Sequence, residues 1–438
     1  MSLSRNPFQP SRRALLAGLG TAALLRPAIG QTVRGQQQLR LRDTRLQLGA
    51  PEAQTAAWRF NADSFSWRFR QGETFDLDLI NAVTTPVSVN VYGLDGAPHL
   101  VPLLGQQPIP AGKRETRSIP LKRAGTYFFE TRLGSEGGAP PLPCGAFAVL
   151  EANPPQVDRD ETLVIEDWRL KADRSAIPPG TSAAGSQTVY TINDRLDWTI
   201  PVRKHQRLRL RFVNGCQRMP IALYVEGHEV QVMAIDGQPA EPFKARRASF
   251  VLAPGSRLDA ILDAMLPPSS RVQIMLHDGT TPKAIATLLY ASDGPVRETP
   301  LPPPAPLPDN GLPAQIPLVN AQRTTLALGA AADADWVAAD RLSTQLPAAF
   351  RVKRGRSVVL ALTNRAAQPV TFHMHGHHFR LLDRLDDGWK PYWLDTLLFD
   401  AGQTQRIAFL AEHPGNWLME TMSIDWSSPR LLRWFAVE

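Results

Sequence analysis

The chain has 438 residues, with 39 prolines, two cysteines and a formal charge of +7. Four of the positive charges, Arg5, Arg12, Arg13 and Arg26, fall in the first thirty residues, which hold no acid, so the remainder carries a net +3. That surplus is too mild to argue for nucleic acid, and the length allows two to four domains, each with its own core.

Residues 1–30 read as an export signal. Arg12 and Arg13 precede the apolar run Ala14 to Leu25, and Ala28-Ile29-Gly30 supplies small residues for cleavage. The paired arginines point to the twin-arginine route and hence to a bacterial periplasm. The apolar run is too short to span a bilayer stably, and no other stretch is apolar for long enough. No transmembrane segment is therefore expected in the mature chain. In an oxidising compartment Cys144 and Cys216 could pair, but free buried thiols are equally consistent with the sequence.

After the signal, strand-like runs alternate with Pro, Gly and Asn turns, which predicts an all-β chain. Residues 31–152 form a first unit, with strands at Phe75–Leu79, Val87–Tyr92, Ala124–Arg132 and Gly145–Glu151. A second unit runs over residues 161–292. Its run Arg207–Asn214 alternates arginine with apolar residues, a strand with one wet face. His228 beside the turn residue Gly227 reads as structural. Residues 295–317 are a proline-rich connector, and residues 318–438 form the third unit. Short basic runs at 244–247 and 351–354 read as solvated strand ends.

The third unit holds the most informative stretch, Phe372-His373-Met374-His375-Gly376-His377-His378-Phe379, with four of the nine histidines within six residues. On a strand His373, His375 and His377 would share one face. Three imidazoles on one face suit copper or zinc, and a polar strand face bonded to backbone or water is the alternative.

From Trp58 to Glu438 the sequence resembles the multicopper oxidase superfamily, whose third domain carries an H-P-x-H-x-H-G-H run. The resemblance implies three cupredoxin-like Greek-key β-sandwich or barrel domains, the middle one without copper. It also implies ten histidines and one cysteine holding a blue copper and a trinuclear cluster. Here most of those positions differ. The first-domain H-W-H-G falls on Asn90-Val91-Tyr92-Gly93, and the H-S-H on Glu130-Thr131-Arg132. The leading ligand of the third-domain run falls on Val370, leaving His373 and His375 as matches. The last motif, H-C-H followed by His and Met, falls on Glu420-Thr421-Met422, Trp426 and Leu431.

Blue copper needs a thiolate, and Thr421 supplies none, so that pocket is expected to be filled by packed side chains. In the trinuclear region two readings stand. Arg132 pairs with Glu130 or Glu420 in a buried ionic network, or else His373, His375, Glu130 and Glu420 hold one copper or zinc ion. The network is preferred, because Arg132 would repel a cation. The loss of ligands and the export signal resemble the copper-free, division-associated branch of the superfamily. The expectation is therefore a non-catalytic periplasmic binding or scaffold protein with a protein partner and no cofactor. The alternatives are a metal-dependent oxidoreductase and a periplasmic metal-binding protein, both using His373 and His375.

Overall fold

The computed structural model describes residues 36–49, 54–61, 65–134, 136–329, 335–383, 388 and 390–438. The expected export signal lies outside these. Among the described residues strands dominate, and they assemble into six sheets, two per domain. In the first domain Gln54–Arg59, Gln37–Gln47, Thr74–Asn81 and Arg114–Pro120 form one sheet in that order. Arg68–Arg70, Cys144–Leu150, Gly125–Arg132 and Ser88–Tyr92 form the other.

The same pairing recurs in each domain. An early strand pairs in parallel with a later one in one sheet: Gln37–Gln47 with Thr74–Asn81, Arg159–Leu170 with Arg207–Asn214, and Gln322–Leu328 with Ser357–Asn364. A short strand pairs in parallel with the last strand of the other sheet: Arg68–Arg70 with Cys144–Leu150, Trp198–Val202 with Lys283–Tyr290, and Arg351–Val352 with Leu431–Val437. Parallel neighbours need a crossover, so both sheets of each sandwich are tied by the same connectivity. The chain repeats one cupredoxin-like topology three times.

Each sandwich buries its own core. The first is aromatic, with Phe69 stacked on Phe75 at 4.2 Å and Phe147 edge-on to both. The second is built mainly from Leu, Ile and Val, among them Leu208, Leu210, Leu258 and Ile274. The third centres on Phe350, Phe372, Phe409, Trp417 and Phe435. Residues 295–317 contain no strand or helix. They are nevertheless anchored, because the Asn310 side chain exchanges hydrogen bonds with the backbone of Ala124.

The wet face expected for Arg207–Asn214 is not there. All eight residues are buried, since the sheet stands against the first domain and the arginines meet acids rather than water. Arg209 pairs with Glu151 and Asp259 at 2.7 Å, and Arg211 with Asp160 and Asp259 at 2.6 and 2.8 Å. Cys144 and Cys216 are both buried free thiols. His228 lies between the Tyr290 hydroxyl at 2.6 Å and the Glu226 carbonyl at 2.7 Å. Among the described residues no helix is long and apolar enough to cross a membrane.

Candidate functional site

The first and third domains meet at polar strands, where the Arg132 side chain reaches Glu420. Ser88–Tyr92 pairs with Gly125–Arg132 so that Asn90 faces Glu130. Val370–Met374 pairs with Gly415–Ser423 so that His373 faces Glu420. These two ladders bring together Asn90, Tyr92, Glu130, Arg132, His373, His375 and Glu420, positions at which the sequence resemblance implies cluster ligands; Met422, the remaining one, has its sulfur 3.3 Å from Arg218 Nη1.

A guanidinium occupies the centre. Arg132 Nη2 reaches Glu420 Oε2 at 2.6 Å, Glu130 Oε1 at 2.8 Å and the Tyr92 hydroxyl at 2.9 Å. Tyr92 donates to Glu130 Oε1 at 2.5 Å, and His375 Nε2 lies 2.6 Å from Glu420 Oε1. Sequence reasoning found Arg132 but missed a second cation. Arg430 Nη1 lies 3.1 Å from Glu420 Oε2 and 3.3 Å from Glu130 Oε1. It follows the strands on an irregular stretch, where no periodicity marks it.

Every member but the half-buried Arg430 is buried, so these charges are held by one another. Burial opposes the charge on Arg132, but Glu130 and Glu420 outweigh it and raise its pKa further. Burial and Glu130 push the Tyr92 hydroxyl well up, so it stays a donor. Burial and the neighbouring His375 hold His373 well below the usual imidazole range, so its ring is neutral. His373 Nδ1 sits 3.0 Å from both the Asp395 carbonyl and the Thr396 hydroxyl, while Nε2 has no partner. Both amide atoms of Asn90 are likewise buried without partners.

The histidine run does not keep one face. The strand ends at Met374, and Gly376 turns the chain at φ +73°, a conformation that favours glycine. His375 stays beside His373, with rings 4.6 Å apart. His377 is instead packed among Phe409, Trp417 and Phe435, and His378 bonds Asp95 of the first domain at 2.8 Å. The expected face of three imidazoles is thus two.

The positions implied for blue copper are Val370, Thr421, Trp426 and Leu431. None carries a thiolate, and both cysteines lie elsewhere, each with a backbone carbonyl as its neighbour. Val370, Thr421 and Trp426 are buried, and a cavity of about 530 Å³ opens beside Thr421 and Leu431. Trp426 does not close it, because its indole donates to the Pro178 carbonyl at 2.9 Å and lies under Arg169.

These residues do not fit a blue copper or a cluster of three ions. They come nearer to fitting one ion, since His373 offers a fixed ring with a free Nε2 and His375 and two carboxylates stand beside it. As they stand the carboxylates are turned to Arg132 and Arg430. Among the described residues no group of three or more His, Cys, Asp or Glu side chains is already arranged to hold a metal.

Residues 159–291 and 315–438 match two family models, each described as multicopper oxidase. Laccase-1 of Thanatephorus cucumeris is 27% identical over 259 residues, which cover 51% of this chain but only 43% of that protein. Multicopper oxidase MmcO of Mycobacterium tuberculosis is 22% identical over 477 aligned residues, covering 94% of this chain and 88% of that protein. Among solved structures, Lac15 from a marine microbial metagenome superposes with a TM-score of 0.75 at 25% identity, covering 91% of this chain and 99% of that one. A multi-copper oxidase from Pseudomonas thermotolerans shares the fold at a TM-score of 0.78 and 24% identity, covering 93% and 100%.

Two expectations are overturned by these matches. The relatives are oxidases, which favours an oxidoreductase over a non-catalytic scaffold. Their shared cofactor is copper, against the expectation of none. The two models together cover more than half of the sequence, in its second and third domains. The chain belongs to the multicopper oxidase family.

Proposed function

We propose that the protein is a copper-dependent oxidoreductase of the multicopper oxidase type that works with a reduced metal complement. Its ion would be held by His373 and His375, with Glu420 or Glu130 as carboxylate ligand. The observation that carries this reading is His373. Its ring is buried and neutral, Nδ1 is fixed by Asp395 and Thr396, and Nε2 is left without a partner. Metal-ligating histidines have this form, with one nitrogen held by an outer partner and the other free. A copper ion there would supply one-electron chemistry.

The chain's own residues set the terms on which an ion enters. Arg132 and Arg430 neutralise the two glutamates in its absence, so binding must draw Glu420 or Glu130 away from a guanidinium. Tyr92 and Glu130 keep a proton at the Tyr92 oxygen. Thr396 and Asp395 keep His373 from rotating.

Copper analysis and titration of metal-free protein test the reading, followed by dioxygen uptake with phenolic and ferrous donors. One copper per chain is expected, abolished by His373→Ala with His375→Ala together, as is the uptake. Wild-type protein that takes up no copper, or a double variant that takes up as much, would overturn it.

A further inference from the structure

The strand Ser249–Leu252 ends one sheet of the second domain and pairs with Ile221–Val225 alone, so among the described residues no strand lies along its outer edge. A cavity of about 400 Å³ opens there. Each residue from Ser249 to Ala253 lines it. Successive residues point to opposite faces, so the cavity runs along the strand's edge and not over one face. Phe243, from the last strand of the domain's other sheet, and Leu397 and Leu398, from the edge strand of the third domain, form further parts of its wall. Exposed sheet edges are ordinarily blunted by a charge, a proline or a bulge. Ser249-Phe250-Val251-Leu252 has neither charge nor proline, and its register is regular. Val251 is 62% exposed and Phe243 42%, two of the five large apolar side chains left open among the described residues, so apolar exposure gathers at this edge.

The charge around the groove is positive. Lys244 is matched by Glu229 at 2.7 Å, and the exposed Glu241 does not line the groove. Arg246 does, as its one charged residue. Among the described residues neither Arg246 nor its neighbour Arg247 has a side-chain partner, and both are exposed. Their turn is fixed, with the Ala245 N–H on the Val230 carbonyl at 2.8 Å and the Ala248 N–H on the Ala245 carbonyl at 3.0 Å.

We propose that this groove docks an extended segment of a partner protein, which adds to Ser249–Leu252 as a further strand. The segment carries acidic residues for Arg246 and Arg247 and apolar ones for Phe243 and Val251. Main-chain hydrogen bonds give such an addition its affinity, and alternate side chains give it selectivity. The proposal goes beyond the oxidoreductase reading and does not depend on it.

Fluorescence anisotropy with the full chain tests it, the probe being a dye-labelled, end-capped hexapeptide of alternating glutamate and valine. Saturable binding is expected, about tenfold tighter than that of the same peptide with lysine for glutamate, because exposed charge contacts are individually weak. The glutamate peptide N-methylated at every residue has no ladder donors and should not bind. Arg246→Glu with Arg247→Glu, and separately Val251→Asp, change exposed side chains. Each should leave the circular dichroism spectrum unchanged and weaken binding about tenfold. Val319→Asp, at a 96% exposed site outside the groove, should bind as wild type does. The proposal is overturned if wild-type protein does not bind the glutamate peptide, or if the lysine or methylated peptide binds as well. It is overturned too if either groove variant binds as wild type does, or if Val319→Asp weakens binding as much. A wild-type dimer that Val251→Asp dissociates would also overturn it, because the groove would then hold a second copy of this chain.

Discussion

Arg132 decides the chemistry of the domain seam because one nitrogen of one side chain satisfies Glu130, Glu420 and Tyr92 at once. Removing one partner of a buried ion pair costs about 3–5 kcal/mol, since the other charge is left uncompensated. Arg132→Ala should therefore unfold at clearly lower denaturant than wild type. The same change leaves the two carboxylates beside His373 and His375 with Arg430 in place of two guanidinium partners, so copper should stabilise the variant more than it stabilises wild type. Metal at about 100 times its dissociation constant restores about 2.7 kcal/mol. An Arg132→Ala protein as stable as wild type, or one that copper leaves unmoved, would count against the geometry. Thr421 gives a second expectation at this scale. Copper-loaded protein should show no intense blue thiolate band, and Thr421→Cys alone should not create one, because Val370, Trp426 and Leu431 bring neither imidazole nor thioether. Visible absorption of the loaded wild type and variant checks both.

One glycine sends the histidine element two ways. A Cβ on Gly376 would lie 1.9 Å from the Trp417 ring, at a φ of +73° that L side chains rarely adopt. Gly376→Ala should thus cost well beyond the ~1 kcal/mol of a backbone effect, read as a lowered melting temperature, and should shift His375 from Glu420. Alternation in the sequence revealed the strand up to Met374 and the strand at Arg207–Asn214, because period two is a local property. It could not reveal which face is wet. That depends on acids at 151, 160 and 259, far away in the chain, which turn the arginine face inward. The seam was legible to the same extent: Glu130, Arg132, His373, His375 and Glu420 lie at motif positions and do converge. Arg430 and the partnership of His378 with Asp95 follow from chain packing, and no motif marks either.

The three domains are joined by buried charges, and their pH response differs accordingly. Arg59 with Glu166 ties the first domain to the second, and Arg257 with Asp395 ties the second to the third at 2.7 Å. Arginine stays charged throughout the working range, so the guanidinium sides of these joints do not titrate, although burial pushes the Glu166 carboxyl up to about 8. Between the first and third domains a histidine and an aspartate both titrate. His378 Nδ1 lies 2.8 Å from Asp95, with Arg123 on the other Asp95 oxygen, and His378 Nε2 faces Gln238 of the second domain at 3.2 Å and Asp395 at 3.9 Å. Burial alone would lower the His378 pKa, but the Asp95 carboxylate holds it above the ordinary value. Burial alone would raise Asp95, but His378 and Arg123 hold it well below the carboxylate range. A histidine with a raised folded pKa stabilises fully below its unfolded value of about 6.5, and that contribution fades as pH rises through the folded value. Asp95 works in the opposite sense, stabilising above about 3.9 and fading as pH falls through its depressed value. Both contribute fully only between these limits, from about pH 4 to 6.5. His378→Gln keeps a polar side chain but cannot take up a proton. The unfolding free energy lost in that variant should be larger at pH 6 than at pH 9, measured by denaturant titration at the two values. An equal loss at both would mean that His378 carries no proton in the folded protein, and that the joint is held by Arg123 and a neutral hydrogen bond.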